Sequence, residues 1–282
     1  KCFMIKILVP TDYSPEAKNA MLYAYEFAMY TGSTLLLYHA MPNVIPLTDI
    51  PFENYYLDEA QEQDLLLTSF QKLITENKLN PAEISVEAVV DQQNLVHVGI
   101  DVCCKKYQCD LVIMGTHGAS GIKKIFLGSN TSQYIANASM PVIAVPSSYR
   151  FEPIYHLIYA SDLRNLDEEL GILVPFAEVF HAVLEILYFD YAGPESEQIM
   201  IDAKTLLSTN NYKNIKLNIK RGNIHLSVAE NLKNHIDAAN TQLLVMVSGE
   251  HNWFDSLMIG SNAQQMVLEP KLPILVMRKG EI

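Results

Sequence analysis

The chain has 282 residues, of which 49% are hydrophobic and 18% are charged. This composition excludes general disorder, and at about 100–200 residues per domain the length predicts two domains. The 20 Lys and Arg residues against 32 Asp and Glu residues give a net charge of −12. Because no run of the sequence forms a basic stripe, we expect neither a nucleic acid nor an anionic membrane surface as a partner.

The cysteines and the apolar runs indicate the cellular compartment of the protein. No uninterrupted apolar stretch approaches the roughly 20 residues of a membrane helix. Three of the four cysteines, Cys103, Cys104 and Cys109, share one helical segment. They have neither the spread of a disulfide framework nor the Cys-x-x-Cys spacing of a zinc site. We therefore expect a reduced, cytoplasmic protein whose cysteines pack in the core, with no metal site.

The first half alternates apolar runs typical of buried strands with helical patterns, which predicts a parallel α/β architecture. A helix begins at Ser14 and Pro15, an N-cap followed by a proline in the first position, and ends near Gly32. Its apolar face carries Ala17, Ala20, Met21, Ala24, Phe27 and Ala28. The predicted strands cover residues 5–9, 35–39, 84–90, 111–114 and 142–145, and further helices cover about 58–77 and 94–107.

The second half repeats this order. Asp162 follows Asp12 by 150 positions, and Leu187-Tyr188 matches Leu37-Tyr38 at the same offset. Later the offset falls to 132, where Gly260-Ser261-Asn262 matches Gly128-Ser129-Asn130. The chain is therefore a tandem repeat of one α/β unit. We predict two domains, 1–148 and 154–282, joined by a mostly polar linker, and each domain is a Rossmann-like or flavodoxin-like unit with a five-stranded parallel sheet flanked by helices.

A glycine pattern follows the fourth predicted strand. Gly115-Thr116-His117-Gly118 is followed by Gly128-Ser129, a spacing of Gly-x2-Gly-x9-Gly-Ser. Open parallel sheets bind ligands beyond the carboxyl ends of their strands, and glycine there permits close approach of the backbone. Gly128-Ser129 opens the next helix, whose free N–H groups and positive dipole end suit an anion. The pattern predicts a phosphate cradle, although glycines that only end strands and cap helices would be the simpler interpretation.

These residues, together with Val9-Pro10-Thr11-Asp12 and the run from Met140 to Pro146, resemble the universal stress protein family in its tandem form. The resemblance covers essentially the whole chain, the second half being a weaker copy. It implies that the two units pair about a pseudo-twofold through their fifth strands, residues 142–145 against 274–277. It also allows a homodimer, and the ligand that it implies is ATP, which a divalent ion such as Mg²⁺ accompanies mainly through the phosphates.

The resemblance also implies which residues contact the nucleotide. The adenosine would lie by Asp12 and its neighbours, and Ala40 or Met41 would contact the adenine. The ribose and phosphates would be held at the glycine pattern. The full set of candidate residues is Pro10, Thr11, Asp12, Ala40, Met41, Met114, Gly115, His117, Gly118, Gly128, Ser129 and Asn130. Asp12 could instead act only as a cap at the start of the helix.

The second half departs from the glycine pattern. At the offset of 132, Val247 replaces Gly115 and Glu250 replaces Gly118. Valine resists a positive φ, and a carboxylate repels phosphate. A shift of one residue would bring Gly249 partly into place, and Asp162 is retained. We therefore expect one working nucleotide site, in the first half.

The resemblance implies an ATP-binding, cytoplasmic regulator of the stress response that acts through its nucleotide-bound state. It contains neither a P-loop nor a Gly-x-Gly-x-x-Gly after the first strand, and no catalytic residue is assigned. One alternative is a slow ATPase or phosphotransferase assisted by Asp12 or His117. The other is a nucleotide-free interaction module that acts through its dimer surface and residues 42–56, a segment rich in Pro, Phe and Tyr.

Overall fold

A computed structural model describes residues 5–41, 59–116, 129–191, 193, 196–248 and 271–278. The chain divides into two compact units, Lys1–Met140 and Pro141–Ile282. The first unit contains β1 (Lys6–Pro10), α1 (Pro15–Thr31), β2 (Thr34–Met41), α2 (Glu59–Glu76), a 3-10 turn (Pro81–Glu83), β3 (Val86–Gln92), α3 (Val96–Tyr107), β4 (Leu111–Gly115) and α4 (Ser129–Asn137). The second contains β5 (Val142–Val145), β6 (His156–Ala160), α5 (Leu166–Phe180), β7 (Val183–Asp190), α6 (Ser196–Thr209), β8 (Ile215–Arg221), α7 (Val228–Ala238), β9 (Leu243–Ser248) and β10 (Ile274–Arg278).

Helix α1 is bounded by the signals that predicted it. The Ser14 hydroxyl accepts a hydrogen bond from the Ala17 backbone N–H at 3.1 Å, and Pro15 takes the first helical position. Gly32 ends the helix with φ 72°, a left-handed conformation that glycine adopts without steric cost. All six apolar residues predicted on its inner face are buried. The predicted helix and its packing are therefore confirmed.

The strands of the first unit are parallel, in the order β3-β2-β1-β4. The central strands are fully buried apolar runs, Ile7 to Val9 in β1 and Leu35 to Leu37 in β2, each residue 0% exposed. This order makes the chain change direction across the sheet between β1 and β4, which is the position where open α/β sheets bind ligands. The α/β class predicted from the sequence is confirmed.

In the second unit the order is β5-β10-β9-β6-β7-β8. β5 is antiparallel to β10, with Ile143 opposite Leu275, and the other strands pair in parallel. The pairing predicted between residues 142–145 and 274–277 is thus confirmed. Because β5 bonds to β10, the compact units divide before β5. Residues 146–155 hold neither helix nor strand, and the domain boundaries at 148 and 154 remain a prediction.

The strand registers refine the repeat. Pro10 pairs with Tyr38 in the first unit, and Ala160 pairs with Leu187 in the second, so β7 follows β2 by 149 positions. The sequence match of Leu187-Tyr188 to Leu37-Tyr38 at 150 is therefore wrong by one residue, because one position is lost between β6 and β7. Further along, Ile7 pairs with Leu111 and Leu157 pairs with Leu243. This register confirms that Val247 lies where the first unit has Gly115.

Three further predictions concern the cysteines, membrane helices and metal sites. Cys103, Cys104 and Cys109 are free and buried, which confirms the predicted packing in the core. Among the helices of the described ranges, none is long and apolar enough to cross a membrane. Nor do three His, Cys, Asp or Glu side chains gather in a group able to hold a metal ion within those ranges.

Candidate functional site

The turn after β1 is built from its own side chains. The Thr11 backbone N–H donates to the Tyr38 carbonyl at 2.8 Å, and the Thr11 hydroxyl accepts from the Tyr13 N–H at 3.0 Å. The Asp12 carboxylate accepts from the Ser14 N–H at 3.1 Å. Tyr13 is held at φ 62°, an uncommon conformation for a residue with a side chain. Asp12 is thus an exposed carboxylate that shapes the turn, while Ser14 caps the helix.

The end of β2 lies beside this turn. Met41 is buried, Ala40 is half-buried, and the Met41 carbonyl accepts from the Gln93 N–H at 2.9 Å. His39 Nδ1 donates to the Thr11 carbonyl at 2.8 Å, which requires that Nδ1 carries the hydrogen. The His39 ring centroid lies 4.7 Å from that of Tyr13. His39 and Tyr13 were not among the predicted site residues, because only the pairing of β1 with β2 brings them together.

The end of β4 is joined to the start of α4. Met114 and Gly115 are buried, and Thr131 in the first turn of α4 is 4% exposed. The Thr131 hydroxyl donates to the Gly115 carbonyl at 2.8 Å. The end of β4 and the first turn of α4 are therefore in contact, and the positive end of the α4 dipole lies at the carboxyl end of β4. Thr131 was not among the predicted site residues, although its hydroxyl two positions after Ser129 was a usable signal.

Three of the predicted contacts, His117, Gly118 and Gly128, lie outside the described residues, as does the segment 42–56. Ser129 begins α4, and Asn130 is exposed in its first turn. The structure therefore brings together the turn after β1, the end of β2 and the junction of β4 with α4 along one edge of the sheet.

The charges at this edge are mainly negative. Burial raises the pKa of the Tyr13 hydroxyl, and the nearby Glu62 carboxylate raises it further. Asp12 adds a second carboxylate. Lys123 and Lys124 lie between the two glycine clusters in the sequence, outside the described residues. An anionic ligand at the described part of the edge would thus depend on backbone N–H groups at the start of α4.

The second unit repeats the turn but not the glycine. The Ser161 hydroxyl accepts from the Leu163 N–H, and Asp162 accepts from the Arg164 N–H, both at 3.0 Å. Leu163 has φ 63°, as Tyr13 has 62° in the first unit. Because the same turn occurs in both units, the aspartate alone does not define a nucleotide site. The difference lies at β9, where Val247 is buried in the place of Gly115.

The first unit has the strand order β3-β2-β1-β4, and the second unit repeats this order as β8-β7-β6-β9. Each unit has the same turn after its first strand. These features define a tandem Rossmann-like α/β protein. A family model described as the universal stress protein family matches residues 4–146, about half of the chain. The chain therefore belongs to the universal stress protein family, as the resemblance predicted.

Individual relatives support this assignment. Universal stress protein MJ0531 of Methanocaldococcus jannaschii is 28% identical over 141 residues, which are 50% of this chain and 81% of the relative. A universal stress protein of Thermus aquaticus is 27% identical over 149 residues, covering 49% of this chain and 96% of its own length. A solved universal stress protein from Archaeoglobus fulgidus covers 98% of both chains with a TM-score of 0.71 at 18% identity, which shows the same tandem fold.

Proposed function

We propose that the first unit binds ATP, and that the protein is a cytoplasmic regulator of the stress response that acts through its nucleotide-bound state. The observation that carries the proposal is the hydrogen bond of 2.8 Å from Thr131 to the Gly115 carbonyl. This bond joins Gly115, the first residue of the Gly-x2-Gly-x9-Gly-Ser pattern, to the first turn of α4, which begins at Ser129, the last residue of the pattern. Such an arrangement is suited to a phosphate group.

In this proposal, three groups of residues contact the three parts of the nucleotide. The adenine would contact Ala40 or Met41 at the end of β2, and the adenosine would lie by Pro10, Thr11 and Asp12. The phosphates would be held by backbone N–H groups at the glycines and the first turn of α4, each helix-end interaction contributing about 0.3–1 kcal/mol. The residues for the ribose and phosphates are Met114, Gly115, His117, Gly118, Gly128, Ser129 and Asn130. ATP would supply the anionic phosphates that these backbone N–H groups bind, and Mg²⁺ would be held mainly by the phosphates.

The test is a calorimetric titration of nucleotide-stripped protein with ATP and Mg²⁺. We expect one site per chain with a dissociation constant near the micromolar range, which corresponds to a binding free energy of about −8 kcal/mol. Gly118→Ala should abolish binding, whereas Gly171→Ala should leave it unchanged, since a Cβ at position 171 meets nothing within 4 Å. Absence of ATP binding would overturn the proposal.

Two other outcomes would change it in defined ways. Two sites per chain would show that the second unit binds nucleotide despite Val247. Steady release of phosphate that disappears in Gly118→Ala would favour a slow ATPase over a regulator that acts by binding alone.

A further inference from the structure

The second unit contains a cavity of about 510 Å³ at the carboxyl ends of β6 and β7. This volume lies within the range of about 300–1,000 Å³ that is typical of small-molecule sites. The helices α6 and α7 complete its walls, through Ile199 of α6 and through Val228 and Leu232 of α7. Among the described residues, β9 contributes none to the lining, so the cavity lies on the β7 side of the sheet edge.

The walls are mostly apolar and partly aromatic. Leu187 and Phe189 of β7 line the cavity together with the aliphatic residues of the two helices, and Tyr191, which follows β7, also lines it. Tyr191 is 39% exposed, so part of its ring is available to a ligand. Aromatic rings of this kind stack on flat apolar ligands, which they bind at little cost in side-chain entropy.

The Tyr191 ring is held in place from two sides. A Cβ atom at Gly222 would lie 2.2 Å from a carbon of this ring, so the ring lies against the backbone of a glycine. The Asn231 side-chain amide donates to the Tyr191 hydroxyl at 3.2 Å. Asn231 is itself 8% exposed, and it also accepts from the Asn223 N–H at 3.0 Å and donates to the Ser227 carbonyl at 3.0 Å. The wall is therefore preorganised.

The charges at the cavity do not favour a phosphate. Asp162 and Arg164 line it with one charge of each sign. Burial raises the pKa of the Tyr191 hydroxyl, and the hydrogen bond from Asn231 offsets only part of that rise, so the hydroxyl is uncharged at neutral pH. Val247 stands in the place of Gly115, the last residue of β4 in the first unit. A neutral ligand meets these walls without an uncompensated charge.

We propose that the second unit binds a small, uncharged aromatic compound in this cavity, stacked on Tyr191. The site is separate from the nucleotide site proposed for the first unit and takes a ligand of different chemistry. An experiment can therefore distinguish the failure of this proposal from the failure of the proposed ATP binding.

The experiment is a fluorescence titration of the full chain with the neutral probe N-phenyl-1-naphthylamine. We expect saturable binding of one probe per chain. Ile199→Trp fills the cavity and should weaken binding at least tenfold. The control is Ile201→Trp on the same helix, where Ile201 is 49% exposed and does not line the cavity. Equal affinity of the two variants would overturn the proposal.

A second set of variants tests the Tyr191 wall without filling the cavity. Tyr191→Leu should weaken probe binding about fivefold or more, while Tyr191→Phe, which keeps the ring, should retain most of it. Gly222→Ala should act like Tyr191→Leu because the added methyl displaces the ring, and Gly171→Ala is its control. Loss of binding in Tyr191→Phe as large as in Tyr191→Leu would contradict stacking.

Competition with ATP separates the two proposed sites. Saturating ATP with Mg²⁺ should leave probe affinity unchanged within twofold, and Gly118→Ala should bind the probe normally. Displacement of the probe by ATP would place the probe in the nucleotide site and overturn the proposal.

Discussion

At the scale of single residues, one hydroxyl joins the first turn of α4 to the end of β4. Thr131 is 4% exposed, and its hydroxyl donates to the Gly115 carbonyl at 2.8 Å. A buried carbonyl that loses its donor retains the full cost of its desolvation. The bond therefore stabilises the fold and, in our proposal, sets the geometry of the phosphate cradle.

Thr131→Val replaces this hydroxyl by a methyl group of similar shape. We expect it to lower the free energy of unfolding by about 1–3 kcal/mol, measured in urea. It should also weaken ATP binding in the calorimetric titration. Thr131→Ser keeps the donor and is the matched control. If the serine variant lost as much ATP affinity as the valine variant, the hydrogen bond would not be the cause.

Glu185 of β7 forms the centre of a second polar cluster, in the second unit. Its carboxylate accepts from Asn218 Nδ2 and His235 Nε2, both at 2.8 Å, and from His156 Nε2 at 2.9 Å. Burial raises the pKa of Glu185, but the hydrogen bonds from Asn218 and His235 and the charges of the two histidines outweigh burial. The pKa of Glu185 therefore lies below its usual value of 4.5.

This shift predicts a pH dependence. Because the pKa is lower in the folded protein, the cluster stabilises the fold above the ordinary pKa of 4.5, and the contribution is lost as the pH falls through the lowered value. Glu185→Gln should lower the free energy of unfolding by about 1–3 kcal/mol at pH 7, with the loss shrinking below pH 4.5. Urea unfolding across pH measures both effects.

The control is Glu87→Gln. Glu87 pairs with Lys6 at 3.0 Å on the surface, where such pairs contribute about 0–1 kcal/mol. A loss of stability in Glu185→Gln that stayed constant down to pH 3 would contradict an ionised Glu185 at the centre of the cluster.

At the scale of elements, two helices carry a glycine in their interior for different reasons. A Cβ at Gly99 of α3 would lie 2.0 Å from the Tyr38 hydroxyl oxygen and 2.9 Å from Gln93 Cγ. Tyr38 is 1% exposed and cannot move aside into solvent. Gly171 of α5 is exposed and has nothing within 4 Å of the added atom. Gly99 is therefore required by packing, and Gly171 is not.

The two Gly→Ala substitutions should have opposite signs. Gly99→Ala crowds the Tyr38 ring and should destabilise the protein by about 1–3 kcal/mol. Gly171→Ala should stabilise it by about 0.5–1 kcal/mol, since alanine loses less backbone entropy in a helix. Thermal and urea unfolding of both variants measure the difference. A stabilising Gly99→Ala would show that α3 can shift away from β2.

Much of the element pattern could be predicted because its signals are local. Apolar runs located the strands, and Ser14 and Gly32 bounded α1 within the sequence itself. β3 is the exception among the strands of the first unit, since it begins at Val86 and not at residue 84. The turn at Pro81–Glu83 and its extended cap at Ile84 occupy the preceding residues.

What could not be predicted depends on contacts between distant residues. The one-residue loss before β7 was hidden by the chance recurrence of Leu-Tyr, and only the pairing of Ala160 with Leu187 exposes it. Likewise, Tyr191 is held by Gly222 and by Asn231, which is 40 positions away. Periodicity reports which face of an element is buried, but it does not report which partner lies against it. The cavity therefore had no sequence signal.

At the scale of the whole molecule, one fold is used twice with different strand ends. The registers place Phe189 where the first unit has Ala40, and Val247 where it has Gly115. Phe189 lines the cavity of the second unit, whereas Ala40 at the end of β2 has only a methyl side chain. Both replacements put a larger apolar side chain at the end of a strand. Under our two proposals, the tandem repeat would hold two sites with distinct ligands.

Hydrogen exchange of the intact chain, followed by mass spectrometry, tests whether the two units bind different ligands. ATP with Mg²⁺ should slow exchange at residues 11–14 and at the start of α4, and leave residues 161–164 unchanged. The neutral aromatic probe should protect residues 187–191 and the start of α7 instead. A ligand stabilises the folded state that it binds, so protection from exchange should increase with occupancy. At a free ligand concentration one hundred times the dissociation constant, this stabilisation is about 2.7 kcal/mol. Protection of both units by ATP alone would contradict the assignment of one ligand class to each.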